Sequence, residues 1–231
     1  MNLATRSYQQ ELLDADDIPF EAIKRNMQEL NFINTKLGGH GISVQGLAAL
    51  AAKKKHLHIC EIGCGGGDNM LALLRYCQQQ NIAATFTGID IKQSCIDFAA
   101  TRSALQTCTT WISSDYIEAR FTRKPDIIFS SLFCHHFTND QLITQLRWMK
   151  ENSVSGFFIN DLQRHWLAYR SIKLLTQLFS KSYLVKNDAP LSVARGFTKM
   201  DWQKIFAKAG IHEYTIRWKW AFRFLIVCRN V

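Results

Sequence analysis

Proline is scarce in this chain, with three in 231 residues, and the seven cysteines (60, 64, 77, 95, 108, 134 and 228) contain no Cys-x-x-Cys pair. No second Cys/His pair stands at zinc-finger spacing, which argues against a structural zinc module. The odd cysteine count and the apolar setting of several, as in Phe224-Leu-Ile-Val-Cys228, point to free thiols packed as small hydrophobes in a reducing cytoplasm. The opening MNLATRSYQQELLDADD lacks the apolar core of a secretory leader. The longest apolar runs, 47–52 and 224–228, are too short to span a bilayer. Acidic side chains are in deficit, 19 against 28 Lys and Arg, a formal charge of +9. Such a surface favours anionic partners, whether nucleic acid, lipid headgroup or charged cofactor, or simply keeps the protein in solution. With 47% hydrophobic and 20% charged residues, the composition is that of a globular chain. Its length suits one domain whose core needs no staple.

Residues 9–37 carry helical spacing (Ile23, Met27, Leu30, Ile33–Asn34) that stops at Gly38-Gly39, and a second helix is expected from about Gln45 to Lys54. Short apolar runs follow at His58–Ile62, Thr85–Ile89, Thr109–Ile112, Asp126–Ser130 and Phe157–Ile159. Helical segments separate most of them, including Asn69–Gln79, Gln93–Leu105 and Asp140–Lys150. Buried strands alternating with helices predict an α/β fold, a mainly parallel sheet covered on both faces. After Ile159 come one helical stretch, Leu167–Phe179, and a turn-rich piece, KNDAPLSVARG. A helix at Lys199–Ala209 follows, then two strands, Glu213–Trp220 and Phe222–Arg229, read as an antiparallel pair at the sheet edge.

The sharpest local signal is His58-Ile-Cys-Glu61-Ile-Gly63-Cys-Gly65-Gly-Gly67-Asp68: a buried strand, a glycine-rich turn and a helix start. Glycines there let backbone pass close to a ligand. The dinucleotide fingerprint fails, since the third-glycine position is Asp68 counted from Gly63 and Met70 counted from Gly65.

An acidic residue followed by G-x-G-x-G resembles the first motif of the class I S-adenosylmethionine-dependent methyltransferases, and the resemblance runs through residues 40–160 and, by its helix and two strands, 197–231. It implies a doubly wound, Rossmann-like seven-stranded sheet ending in an antiparallel pair, with S-adenosyl-L-methionine as cofactor. It divides the chain into a helical cap (1–46), a cofactor-binding core (47–160), a lid insertion (161–198) and a closing helix with two strands (199–231). By that likeness Glu61, Gly63, Gly65 and Gly67 form the cofactor loop. Asp90, at the next strand end, holds the ribose hydroxyls, which suits a carboxylate's paired acceptors; Ile91 follows it. Asp115 and Tyr116 stand at the adenine, and Ser131 and Phe133 lie where the fourth strand passes the methionine end. Taken alone, Asp90 could be a helix cap and Asp115 a solvated turn residue.

His135-His136 follows the fourth strand, as similar pairs do in ubiquinone- and menaquinone-type methyltransferases. Imidazole titrates in the range needed to take a phenolic proton, so both are candidates for the general base, His136 ahead. The alternative is that one packs against the cofactor and the other caps the next helix. Nothing in the sequence calls for a metal. Asn160-Asp161 weakly resembles the magnesium-dependent catechol-type enzymes, but the other carboxylates are not spaced to match.

The fourth-strand segment SLFCHHF lacks the Asn/Asp-Pro-Pro-aromatic loop of amino-directed base methyltransferases, no proline adjoins a cysteine as in carbon-5 enzymes, and residues 126–160 offer only Glu151 where arginine methyltransferases need paired glutamates. These absences turn the reading from nucleic acid to a small-molecule acceptor. The segment 161–198 alternates aromatic and aliphatic residues with Arg164, Arg170, Lys173 and Lys181. Its apolar face is expected to wall a substrate pocket together with the N-terminal helices, and its basic side could meet a membrane surface or an anionic headgroup. Arg164, Trp166 and Arg195, with Phe133, are the substrate-side candidates. DLQRH and LSVARGFT resemble bacterial methyltransferases of polyketide-derived phenols or quinones. The resulting expectation is O-methylation of an apolar aromatic molecule by a monomer or homodimer, with C-methylation of a quinone precursor close behind and RNA methylation or catalysis-free cofactor binding as alternatives.

Overall fold

The computed structural model describes residues 2–15, 17–52 and 54–230; Met1, Asp16, Lys53 and Val231, which fall in the expected first cap, second helix and closing strand, lie outside the described residues. Seven strands form one sheet: β1 (His56–Ile62), β2 (Ala83–Asp90), β3 (Thr109–Ser113), β4 (Ile127–Ser131), β5 (Gly156–Leu162), β6 (Tyr214–Lys219) and β7 (Arg223–Arg229). Their order is β3-β2-β1-β4-β5-β7-β6. β1 to β5 are mutually parallel, and β7 runs antiparallel between β5 and the edge strand β6. The centre of the sheet is apolar because both its faces are covered: every residue of β4 is buried, as are Leu57, Ile59, Cys60 and Ile62 of β1.

Among the described residues, eight helices flank it: α1 (Phe20–Lys36), α2 (Gly39–Ala51), α3 (Asp68–Gln79), α4 (Gln93–Ala100), α5 (Asn139–Asn152), α6 (Trp166–Phe179), α7 (Tyr183–Arg195) and α8 (Lys199–Ala209). One core joins α5 and α8 to the sheet through Leu146, Met149, Trp202 and Phe206. The other seats α2 and α3 on the opposite face through Leu47, Leu50, Leu73 and Phe158. All seven cysteines are free, and all but Cys108 are buried. Among the described residues, no helix is long and apolar enough to cross a membrane.

Three local expectations need correction. The first helix begins at Phe20, not near residue 9, because Pro19 presses the residue before it out of the helical region. Residues 2–15 instead form a strap with one short turn at Leu12–Asp14, pinned by Ser7 N–H to Ala194 O and by Arg6 to the carbonyls of His135 and Phe137. The second helix starts at Gly39 and ends at Ala51; its glycine-rich first turn reads as loop until its packing against Arg223 is seen. Finally, KNDAPLSVARG is helix, running through Pro190. A proline costs an interior helix about 3 kcal/mol in isolation. Burial of Leu184, Val185, Leu191 and Val193 outweighs it, aided by Ser182 capping the first turn and by Asp188 accepting the Leu12 and Leu13 N–H groups.

Candidate active site

The strand order reverses between β1 and β4, and open α/β sheets bind ligands in the crevice beyond the strand ends at such a point. A cavity of about 400 Å³ lies there. Its floor comes from the ends of four adjacent strands: Glu61 and the Gly63–Gly66 loop, Asp90 with Ile91, Asp115 with Tyr116, and Ser131 with Phe133. Its opposite wall is α1, through Ile23, Met27 and Leu30, together with Leu13 and Asp14 of the strap.

The loop after β1 is held open by its own backbone. Gly63 and Gly65 adopt φ of 67° and 49°, which a side chain tolerates poorly. The N–H groups of Gly63 and Cys64 both donate to Ile89 O, at 2.9 and 3.0 Å. A Cβ on Gly63 would stand 2.2 Å from the Phe133 ring, whereas one on Gly65 would meet nothing within 4 Å. Bare backbone thus faces the cavity at Gly65, while the ring of Phe133 closes over Gly63. Gly67 does not line the cavity; it turns the chain into α3.

Asp90 accepts the Gly65 N–H at 2.8 Å on one oxygen and the Lys92 N–H at 3.0 Å on the other, so each oxygen keeps a free lone pair. Burial raises its carboxyl, and those two backbone bonds pull it back. Glu61 is buried, with Oε2 unpartnered. Burial, with Asp68 and Asp90 adding their charge, pushes Glu61 well above the usual carboxylate range. A cationic group placed there would relieve the orphaned oxygen. A nucleoside bearing an amino-acid tail therefore fits this floor: an acceptor for an ammonium group at Glu61, exposed backbone beside it, and paired lone pairs for vicinal hydroxyls at Asp90. Leu132, beside Ser131, has φ of 54°, a conformation costing roughly 1–3 kcal/mol that recurs where function fixes the backbone.

The histidines separate. His136 lines the cavity and its Nδ1 stands 3.0 Å from Asp14 Oδ1. His135 is buried behind it, with Nδ1 2.8 Å from Asp161 Oδ1. Asn160 donates to Gly39 O and to Ser43 and Ser131 hydroxyls, tying α2 to β4.

Three substrate-side candidates stand elsewhere. Arg164 is buried and spends its guanidinium on Gly196 O, Leu3 O and Asp201. Arg195 donates to the carbonyls of His135, His136 and Gln9, so it shapes the histidine turn from behind. Trp166 is 56% exposed at the start of α6. No residue of 161–198 lines the cavity; the cap that does so is the N-terminal one. Sequence reasoning misses Glu11, Leu13, Asp14, Asn26, Asn31 and Asn34. The three asparagines fall on one half of α1 and are the only signal available, since the strap carries no local pattern.

Residues 59–152 match the family model described as a methyltransferase domain. No curated protein matches the chain. Among solved structures, the plantazolicin methyltransferase in complex with S-adenosylhomocysteine is similar over 84% of this chain and 73% of that one, at 19% identity and a TM-score of 0.62. Magnesium protoporphyrin IX methyltransferase from Synechocystis with bound S-adenosylmethionine matches over 84% and 82%, at 14% identity and 0.54. Human N-acetylserotonin methyltransferase in complex with S-adenosylmethionine matches over 91% of this chain at 14% identity and 0.60, although the chain spans only 56% of its length. At these identities the likeness establishes the fold.

Proposed function

Since residues 59–152 match a methyltransferase-domain model, we propose that this chain is a class I S-adenosylmethionine-dependent methyltransferase that methylates an oxygen of a small, apolar, aromatic acceptor, phenolic or quinone-like. The observation that carries this reading is the two-sided cavity, with a carboxylate-and-glycine floor at the strand ends and an apolar wall from α1, Phe133 and Phe137. Glu61 and the Gly63–Gly65 backbone would hold the amino-acid end of the cofactor, Asp90 its ribose, and Ile91, Asp115 and Tyr116 its base, with Ser131 beside the reacting end. The cofactor's sulfonium supplies an electrophilic methyl group. Phe133, Phe137, Met27 and Leu30 exclude water and align the acceptor, which is the larger share of the task in an in-line displacement. His136 takes the acceptor's proton. Its Nδ1 stands 3.0 Å from Asp14 Oδ1, a contact that orients the ring. His135, turned to Asp161, positions the turn.

Solved neighbours named for plantazolicin, magnesium protoporphyrin IX and N-acetylserotonin support a small acceptor. Labelled cofactor incubated with a panel of phenols and quinones tests the reading. Methylation of a phenol, with His136→Ala slowing turnover about 10²–10⁴-fold at unchanged cofactor affinity, supports it. Labelling of RNA with steep salt dependence, or cofactor binding with no acceptor labelled, overturns it.

The outward face of α6 supports a peripheral membrane contact: Leu174, Leu178 and Phe179 are 61–77% exposed, beside exposed Arg170, Lys173 and Lys181. Sedimentation with anionic but not neutral vesicles is expected; concentration-dependent dimerisation through this face would assign it to a second copy instead. The free thiols suit a cytoplasmic setting.

A further inference from the structure

Three side chains distant in sequence converge beneath the cavity. Nε2 of His135 stands 3.6 Å from Glu11 Oε1, and Nε2 of His136 stands 3.9 Å from Glu11 Oε2. The three ligand atoms lie within 4.8 Å of one another. Glu11 and His135 are buried and His136 is half-buried.

These distances are too long for hydrogen bonds. Two ligands each about 2.0–2.2 Å from a tetrahedral ion stand about 3.3–3.6 Å apart, so small side-chain movements would close the set around one. The far side of each ring points the same way. There His135 Nδ1 stands 2.8 Å from Asp161 Oδ1 and His136 Nδ1 stands 3.0 Å from Asp14 Oδ1. An Nδ1–H donated to a carboxylate leaves Nε2 as the ring nitrogen available to an ion. Carboxylates on the outer ring nitrogens are also what orients metal-bound histidines. Ser192 donates to Glu11 Oε1 at 2.8 Å and Arg195 Nε lies 4.0 Å from it, so the other oxygen is the less committed.

We propose that Glu11, His135 and His136 bind a divalent transition-metal ion of the zinc type, with Asp14 and Asp161 orienting the two imidazoles. The ion fastens the strap to the histidine turn. It also occupies the nitrogen that the proposed methyl transfer needs as its base, so the loaded protein is held inactive. That consequence rests on the functional reading above; the binding site does not.

The test uses the tag-free full chain, stripped with a chelator and titrated with Zn²⁺ by calorimetry, with Mg²⁺ as the hard-ion contrast. One equivalent of Zn²⁺ and no Mg²⁺ binding are expected. Asp14→Asn should weaken Zn²⁺ binding about 10–100-fold, the usual effect of losing an outer-ring partner. Glu11→Gln should abolish the site, and His212→Asn should leave it intact. Zn²⁺ affinity unchanged in Glu11→Gln and Asp14→Asn overturns the proposal, as does binding lost in His212→Asn. Zn²⁺ should then suppress methyl transfer while S-adenosylhomocysteine affinity stays constant. Zn²⁺ bound at this site without any methylated acceptor would sink the functional reading and leave the site standing.

Discussion

Two glycines two positions apart in the loop after β1 should respond differently to the same substitution. Gly63→Ala and Gly65→Ala both place a Cβ on left-handed backbone, at φ of 67° and 49°, at a cost of roughly 1–2 kcal/mol each. Only Gly63 also meets a ring, with Phe133 Cδ2 2.2 Å from the new atom. Forcing that ring aside adds roughly 1–3 kcal/mol, the usual penalty of overpacking. Gly65→Ala should therefore lower stability by about 1–2 kcal/mol and Gly63→Ala by about 2–5 kcal/mol. At about 2–4 °C per kcal/mol for a chain of this size, the melting temperature falls by about 2–8 °C and about 4–20 °C respectively. Urea unfolding followed by far-ultraviolet dichroism measures both, and a cycle with Phe133→Ala isolates the clash. In that background Gly63→Ala should cost no more than Gly65→Ala, a coupling of about 1–3 kcal/mol. Additive effects, or equal costs in the parent chain, would refute the steric account.

Asp90→Asn should weaken S-adenosylhomocysteine binding about 10–100-fold, since bonds to a charged acceptor contribute about 1.5–3 kcal/mol; the far-ultraviolet spectrum should be unchanged, and unaltered calorimetric affinity would exclude the ribose role. The strap should grip most tightly between about pH 3.8 and 4.5 when metal is absent. Asp14, with its pKa depressed from 3.8 to about 2, contributes fully above 3.8 and loses that contribution as pH falls toward 2. Burial lifts Glu11 from 4.5 to about 7, so its contribution is full below 4.5 and is lost as pH rises through 7. Proteolysis of residues 2–15 should be slowest between those limits, and Glu11→Gln should erase the alkaline limb; an unchanged profile contradicts the assignment. Within α2, Gly41→Ala should stabilise by about 0.5–1 kcal/mol because nothing lies within 4 Å. Gly46→Ala should destabilise, its Cβ falling 2.4 Å from the Phe158 ring. Matching signs in thermal melts would be inconsistent with that packing.

What can be read in advance follows the range of the interactions involved. β1, its glycine loop, Asp90, Asp115 and Phe133 are short-range features: each lies at a strand end, and strand ends are marked by where apolar runs stop. Their assembly into one cavity then follows from the strand order. The N-terminal strap is different. Arg6 reaches Phe137 and Arg195, Glu11 meets the histidines, and Leu12 and Leu13 meet Asp188, all contacts spanning more than a hundred residues. No local periodicity announces such partners. Arg164 and Arg195 illustrate the converse error, since a basic residue beside an apolar segment looks ligand-facing until its carbonyl partners are known. Trp166 resembles a pocket wall because its helix is amphipathic, yet the apolar stripe of that helix faces outward. Pro190 conceals α7 for a related reason: tertiary burial overrides a local veto.

The strap has a further implication for how this molecule must be handled. Its farthest anchors lie 176–189 positions downstream, on α7, so during synthesis it is fully moored only once α7 has emerged. A fusion partner or affinity tag joined ahead of residue 2 would sit beside the strap that walls the cavity and could hold it ajar. A tag carried at the other end, past β7, leaves that late-closing door free to shut.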